Sequence, residues 1–204
     1  MKGALMRWFF CVFLLGAASV NCTDDVPALD ESEWQQLAAG ECVILDRRPD
    51  DAEKPDGRFV TAARHMEGTR ETIWEVIHDK ERAAEFLEGV LESKLLEKEG
   101  NRLLVEQRTH VGGPKGSYVY RLRHELTPMS KATFTYAGGE LKDVVGAWWI
   151  FDGPSPEICL VVYSLYIDAG FFAPQAIVKA GMKKTMPKTL ASIAREVAKR
   201  QSNR

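Results

Sequence analysis

Four histidines are the side chains of this chain best suited to proton transfer, but none stands in a nucleophile or metal-binding motif. They are His65, His78, His110 and His124. His124 has the strongest case, because strand-like alternation places it on the same side as Tyr118 and Tyr120. A histidine beside tyrosines in an apolar pocket could act as acid or base on a carbonyl. We favour the alternative, a buried histidine hydrogen-bonded near a sheet edge, and therefore assign no catalytic residue.

Metal and cofactor chemistry is not indicated by the cysteines. The four cysteines are scattered along the chain, at Cys11, Cys22, Cys42 and Cys159. No spacing of cysteine and histidine resembles a zinc site. We therefore predict no metal and no cofactor. In an oxidising compartment Cys42 and Cys159 could form a disulfide. Small buried thiols are the favoured interpretation of both.

The N-terminal residues 1–19 have the layout of a secretory signal peptide. Lys2 and Arg7 precede an apolar stretch at residues 8–15, and small residues follow it. That stretch is too short to span a bilayer, which takes about 20 apolar residues. We therefore predict an exported protein, periplasmic or secreted, with an uncleaved anchor as the alternative. Lipidation at Cys22 is a further alternative, although the residues before it are a poor match to the small residues expected there.

The charge of the chain argues against nucleic acid as a partner. Loss of the leader would remove two positive charges and no negative ones, which moves the formal net charge from -2 to -4. A mildly acidic exported protein has no electrostatic reason to bind nucleic acid. Basic residues near the C-terminus could contact a membrane surface, but such residues on the outer face of a helix are usually solvated. The oligomeric state is left open.

The hydrophobic period changes from helical to two at about residue 89, which predicts a run of strands. Six are expected, at residues 90–97, 102–110, 117–125, 131–137, 143–151 and 157–168. Short turn sequences separate them, so neighbouring strands must be antiparallel. A further strand at residues 58–66 and two short helices, which begin after Thr69 and Asp79, precede this run. A short helix and strand before them form an extension at residues 20–57.

The C-terminal residues 174–199 predict one long amphipathic helix. Its apolar residues recur every three or four positions, at Val178, Met182, Met186, Leu190, Ile193 and Val197. At about 1.5 Å per residue the helix would be about 39 Å long, enough to cover a sheet. Pro187 removes one helical hydrogen bond, so a bend is expected near it. These elements together predict an α+β protein with an antiparallel sheet of about six to seven strands and the helix across it.

Two consecutive segments carry a resemblance to a known superfamily. They are RETIWEVIHDKERAAEF at residues 70–86 and LEGVLESKLLEKEGN at residues 87–101. With the element order from residue 58 to about 199, the chain resembles the StAR-related lipid-transfer and Bet v-like superfamily, and within it the polyketide-cyclase and coenzyme-Q-binding branch. The resemblance implies a helix-grip fold at residues 58–204, with a curved antiparallel sheet around the long helix. It also implies a hydrophobic cavity between them that accepts lipids, quinones, polyketides or sterols.

The resemblance favours a binding protein that holds a hydrophobic small molecule without covalent chemistry. Alternation along the strands and the stripe of the long helix select the residues predicted to line its cavity: Gln107, Tyr118, Tyr120, Leu122, His124, Phe134, Tyr136, Trp148, Val178, Met182 and Met186. An ordinary packed core is the simplest alternative. A cyclase or aromatase-like enzyme is the second alternative, and a protein-interaction domain is the third.

The connection before the long helix holds two adjacent aromatic residues, Phe171 and Phe172. They could form the rim of a cavity mouth, dock a protein partner or dip into a membrane surface. We favour a hydrophobic staple that fixes the start of the helix.

Overall fold

The computed structural model describes residues 26–50, 56–110, 116–170 and 174–203. The predicted leader, Cys22 and the Phe171–Phe172 pair lie outside the described residues. Within them the chain forms eight strands: β1 (Cys42–Leu45), β2 (Val60–Glu67), β3 (Val90–Glu99), β4 (Arg102–His110), β5 (Ser117–Thr127), β6 (Lys131–Gly139), β7 (Asp143–Asp152) and β8 (Ile158–Asp168). The helices of the same residues are α1 (Glu31–Ala38), α2 (Arg70–His78), α3 (Ala83–Phe86) and α4 (Gln175–Ser202).

All eight strands belong to one curved, open antiparallel sheet. Its order is β1-β2-β8-β7-β6-β5-β4-β3, so the six consecutive strands form the predicted meander. The α+β class and the long helix across a single antiparallel sheet are confirmed. The strand number is slightly higher than expected, because Cys42–Leu45 pairs with Thr61–Arg64 and adds an edge strand.

Side-chain caps fix the starts of α1 and α2. The Asp30 carboxylate accepts a hydrogen bond from the Glu33 amide, and the Glu33 carboxylate accepts one from the Asp30 amide, each at 2.8 Å. The Thr69 hydroxyl accepts from the Thr72 amide at 3.3 Å. Both caps agree with the sequence pattern.

The second short helix differs from its prediction. It is a single turn, begins at Ala83 and has no side-chain cap, whereas a start after Asp79 was expected. Asp79 instead follows the last residue of α2, and its carboxylate bonds the Nη2 of Arg200 on α4 at 2.6 Å. Asp79 therefore keeps a local bond, from the Arg82 amide to its Oδ1 at 3.3 Å, but a distant helix holds its other oxygen and the helix begins later.

Helix α4 packs across one face of the sheet, against β2, β8 and α2. All six residues of the predicted apolar stripe are buried: Val178, Met182, Met186, Leu190, Ile193 and Val197. The helix continues on both sides of Pro187, and the bend expected there stays a prediction. We call the sheet face under α4 the inner face.

The opposite, outer face carries a second, smaller core at one end of the sheet. Helix α1 contributes Leu37, which packs with Trp149 of β7 and with Leu160 and Val162 of β8. Strands β7 and β8 are therefore covered on both faces. This explains why their sequences are apolar on both sides and could not be oriented from alternation.

The two cysteines of the described residues are free thiols. Cys42 lies on β1 and Cys159 on β8, with β2 between them. At about 4.8 Å per strand spacing, and with Cys159 two residues away from the row of Cys42, they are at least about 9 to 10 Å apart, beyond the reach of a disulfide. Burial raises the pKa of the Cys42 thiol to about 11 and raises that of Cys159. The interpretation as small buried thiols holds for Cys159, whereas Cys42 is only partly buried.

Gly146 on β7 makes room for the Phe134 ring on the neighbouring strand. A Cβ there would lie 2.7 Å from the Phe134 Cε2 and 2.5 Å from the Ser164 carbonyl oxygen. We expect Gly146→Ala to lower the free energy of unfolding by about 1 to 3 kcal/mol, the usual cost of overpacking. Urea unfolding measures this change.

Gly181→Ala is the matched control for that substitution. A Cβ at Gly181 meets nothing within 4 Å, and the position is inside α4. We expect this variant to be as stable as the wild type or about 1 kcal/mol more stable, because alanine favours helix. Equal losses in the two variants would contradict the close approach at Gly146.

Candidate functional site

The predicted inward face of β5 is confirmed as a row of buried side chains. Tyr118, Tyr120, Leu122 and His124 are each between 3% and 7% exposed. Strand β5 lies inside the sheet, and His124 sits between Leu103 of β4 and Phe134 of β6. The rings of His124 and Phe134 are 5.4 Å apart between centroids.

His124 has no hydrogen-bond partner among the described residues at either ring nitrogen, although both atoms are buried. Burial lowers the pKa of its imidazole well below the ordinary value, and the charge of Lys80 lowers it further. The ring is therefore neutral at pH 7, with one donor and one acceptor nitrogen. The favoured interpretation as a hydrogen-bonded histidine near a sheet edge is wrong. Unpartnered buried polar atoms are rare enough to require an explanation.

Lys80 is a second buried polar group near this histidine. It lies just after α2, and its Nζ donates to the Ile77 carbonyl oxygen at 2.7 Å. Burial lowers the pKa of the Lys80 ammonium to about 8. Among the residues that the structure describes, Lys80 makes no ion pair with a carboxylate. Lys80 could not be predicted from the sequence, because a lysine in the polar stretch after a helix is usually solvated.

His78, the last residue of α2, completes this group. Its Nδ1 donates to the Trp74 carbonyl oxygen at 2.8 Å, and its ring lies 3.8 Å from the Trp74 ring between centroids. The buried Nε2 has no partner within the described chain. Burial, together with the charge of Lys80, lowers the pKa of His78 to about 3. The ring is therefore neutral, and its Nε2 is a free acceptor. We call His78, Lys80 and His124 the buried polar cluster.

Two tyrosines of the inner face have different partners. The Tyr120 hydroxyl oxygen accepts a hydrogen bond from the Thr109 hydroxyl at 2.7 Å. Tyr163 on β8 stacks on Trp148 with ring centroids 3.7 Å apart and planes 4° apart. Burial raises the pKa of both tyrosine hydroxyls, so both are neutral at pH 7. Tyr163 could not be predicted from the sequence, because β8 is apolar on both sides.

The remaining predicted lining residues also lie on the inner face or on α4. Phe134, Trp148 and the three α4 residues, Val178, Met182 and Met186, are buried. Tyr136 and Gln107 are partly buried. The Tyr136 hydroxyl donates to the Gly139 carbonyl oxygen at 2.9 Å, and the Gln107 side-chain amide donates to the Ser93 hydroxyl at 3.4 Å. The role of the eleven residues as a cavity lining stays a prediction.

Two cavities lie elsewhere on the described part of the molecule. One of about 610 Å³ lies against the outer face, between α1 and the turn that joins β7 to β8, and includes Trp34, His65 and Gly153. The other, of about 390 Å³, lies where the start of α4 meets β1 and β2, and includes Phe59 and Lys179. None of the eleven predicted residues lines either cavity.

The fold and the buried polar cluster define a helix-grip protein whose apolar interior holds a few polar groups. Residues 66–194 match the sequence family described as polyketide cyclase / dehydrase and lipid transport. This match covers more than half of the chain, so the protein belongs to that family. The superfamily predicted from the sequence is confirmed. A comparison with curated protein sequences gave no match.

Solved structures with the same fold have low sequence identity to this chain. The Zhui aromatase/cyclase from Streptomyces sp. R1128 is 16% identical with a TM-score of 0.62, over 70% of this chain and 94% of that one. A START superfamily protein from Mycobacterium smegmatis is 14% identical with a TM-score of 0.60, over 69% and 97%. A STAR-related lipid transfer protein from Xanthomonas axonopodis is 14% identical with a TM-score of 0.55, over 69% and 85%. At these identities the likeness concerns the fold.

The four described helices do not meet the requirements for crossing a membrane. None of them is both long enough and apolar enough to span a bilayer.

Proposed function

We propose that this protein binds a hydrophobic small molecule, such as a lipid, quinone or polyketide-like compound, between the inner face and α4. The observation that carries the proposal is His124, whose two buried ring nitrogens lack partners in the described chain. Ligand pockets combine mostly apolar walls with a few polar groups that orient the ligand. The inner face has this composition, since Leu122, Phe134 and Trp148 share it with His124.

The family description and the relatives support this proposal. The family includes lipid transport, and one structural neighbour is a STAR-related lipid transfer protein. Another neighbour is an aromatase/cyclase, which supports an enzyme as the second candidate. In that case His124 would act as a base that removes a proton from a carbon next to a carbonyl group. Burial lowers the pKa of His124 and makes its imidazole a weaker base, which favours binding without turnover.

We also propose that the protein is exported to the periplasm or secreted. The support is the sequence of residues 1–19 alone. Expression with the native leader, followed by fractionation and N-terminal sequencing, tests this. We expect the mature protein outside the cytoplasm with its N-terminus after Ala18 or Ser19. A cytoplasmic protein that keeps Met1 would contradict export.

Uptake of an apolar fluorescent probe tests where the ligand binds. Met182 on α4 is 5% exposed and faces the sheet, whereas Ile177 on the same helix is 65% exposed. We expect Met182→Trp to weaken probe binding at least about tenfold, because the larger side chain occupies space between helix and sheet. Ile177→Trp, the matched control, should leave binding unchanged.

Circular dichroism and urea unfolding show whether both variants are folded. If folded Met182→Trp binds the probe as tightly as the wild type, the site lies elsewhere. The outer-face cavity, which includes Trp34, would then be the next place to look. No uptake by the wild type would favour a solid core and a protein-interaction role.

A further inference from the structure

The buried polar cluster contains more donors and acceptors than the surrounding chain satisfies. Lys80 has three ammonium hydrogens, and among the described residues only the Ile77 carbonyl oxygen accepts one. Neutral His124 offers one donor and one acceptor, and His78 offers an acceptor at Nε2, all without partners in the described chain. A buried ammonium without an anionic partner is costly to desolvate.

Of the two carboxylates next to Lys80 in sequence, Glu81 is exposed and Asp79 is engaged elsewhere. Asp79 Oδ2 bonds the Nη2 of Arg200 at 2.6 Å, and its Oδ1 accepts from the Arg82 amide at 3.3 Å. Arg200 is also bonded through Nε to Glu196 Oε1 at 2.9 Å. These contacts direct the two acidic groups towards Arg200, so the charge of Lys80 is left without a counter-ion in the described chain.

The surroundings of the cluster are apolar. His124 lies beside Phe134, and Phe134 lies 6.4 Å from Tyr163 between ring centroids. Tyr163 in turn stacks on Trp148. Leu122 and the α4 residues Met186 and Leu190 belong to the same buried core. His124 thus lies at one end of a row of aromatic side chains and within range of the charge of Lys80.

We propose that the buried polar cluster binds the carboxylate headgroup of an amphipathic ligand whose tail lies along the inner face. The ammonium of Lys80 and the ring N–H of His124 would each donate to a carboxylate oxygen. The Nε2 of His78 would accept from an ordered water or from a hydroxyl group of the ligand. A carboxylate would supply the missing counter-charge, which neither an uncharged ligand nor an amine can do.

This inference rests on the proposed function, because it specifies the ligand of the same site. The test compares hexadecanoic acid with its methyl ester, which has the same tail but no charge, and with acetate, which has the headgroup alone. Each is titrated against the wild-type protein by displacement of the fluorescent probe or by calorimetry at about pH 7. Lys80→Met removes the charge and keeps a chain of similar length. Lys184→Met, at an exposed position of α4, is the matched control.

We expect the wild type to bind the acid at least tenfold more tightly than the ester and to bind acetate weakly. Lys80→Met should lose at least tenfold in affinity for the acid and keep its affinity for the ester. Lys184→Met should bind both as the wild type does. A second variant, His124→Phe, should also bind the acid more weakly.

Each other outcome decides against one of the two proposals. If acid and ester bind equally and Lys80→Met changes neither, the headgroup site is wrong and the apolar binding site stands. If acetate binds as tightly as the long-chain acid, the site takes free carboxylates and the amphipathic ligand is wrong. If neither the acid, the ester nor the probe binds, the proposed function itself fails.

Discussion

Replacing Lys80 with methionine is expected to make the ligand-free protein more stable by about 3 kcal/mol at pH 7. The pKa of Lys80 falls from 10.5 to about 8 on burial. Each unit of pKa shift corresponds to about 1.4 kcal/mol, so the folded state bears this cost while the amine is protonated. Methionine fills a similar volume without a charge. Equilibrium urea unfolding of both proteins measures the difference.

The pH dependence of stability tests the same prediction, because the lowered pKa of Lys80 fixes the direction in which stability changes with pH. The unfolded chain holds the Lys80 proton more tightly than the folded protein, so the wild type should gain stability as pH rises from about 8 to about 10.5. The loss of stability caused by the buried Lys80 ammonium is fully present below about pH 8. In Lys80→Met this gain should be missing, so the stabilities of the two proteins should converge at high pH. A variant that is less stable than the wild type at pH 7, with the same pH slope, would contradict an unpaired buried ammonium.

Leu190→Ala is expected to lower the free energy of unfolding by about 2 to 5 kcal/mol. Leu190 lies in the middle of the α4 stripe and is 0% exposed. Truncation removes its buried methyl groups and leaves a cavity between helix and sheet. Ile177→Ala on the exposed side of α4 should change stability by less than about 0.5 kcal/mol.

Thermal or urea unfolding of the two α4 variants should therefore separate them clearly. Similar small effects at Leu190 and Ile177 would mean that α4 is not packed against the sheet as described. Loss of helical circular dichroism in Leu190→Ala alone would be consistent with a helix stabilised by its buried face.

The long helix and the inward face of β5 could be predicted from sequence. The α4 stripe keeps one helical period for many turns, and every position of it from Val178 to Val197 is buried as expected. Alternation along β5 similarly placed His124 on the buried side. Both patterns are local and long, and burial of one face is the physical cause of each.

The buried polar cluster could not be predicted, because its burial depends on elements distant in the chain. Lys80 follows α2 in a polar stretch, and locally its charge suggests exposure. Helix α4 packs against α2 and encloses that end of the fold. The hydrogen bonding of His124 was predicted wrongly for the same reason. Alternation predicts the face of the sheet on which a side chain lies, but it does not predict which polar groups pack against that side chain.

The outer core also depends on long-range packing. Trp149 and Leu160 are buried because α1 from the N-terminal extension covers the outer face at β7 and β8. From sequence, α1 was a short helix without an assigned partner. A strand that is apolar on both sides indicates two covered faces, but it does not identify what covers them.

Mass spectrometry of an organic extract of the gently purified mature protein tests the central proposal most directly. We expect one class of hydrophobic molecule in near-stoichiometric amount, with a carboxylate, and a much smaller amount from the folded Met182→Trp variant. An extract free of small molecules, from a wild-type protein that also takes up no apolar probe, would contradict ligand binding between the sheet and α4.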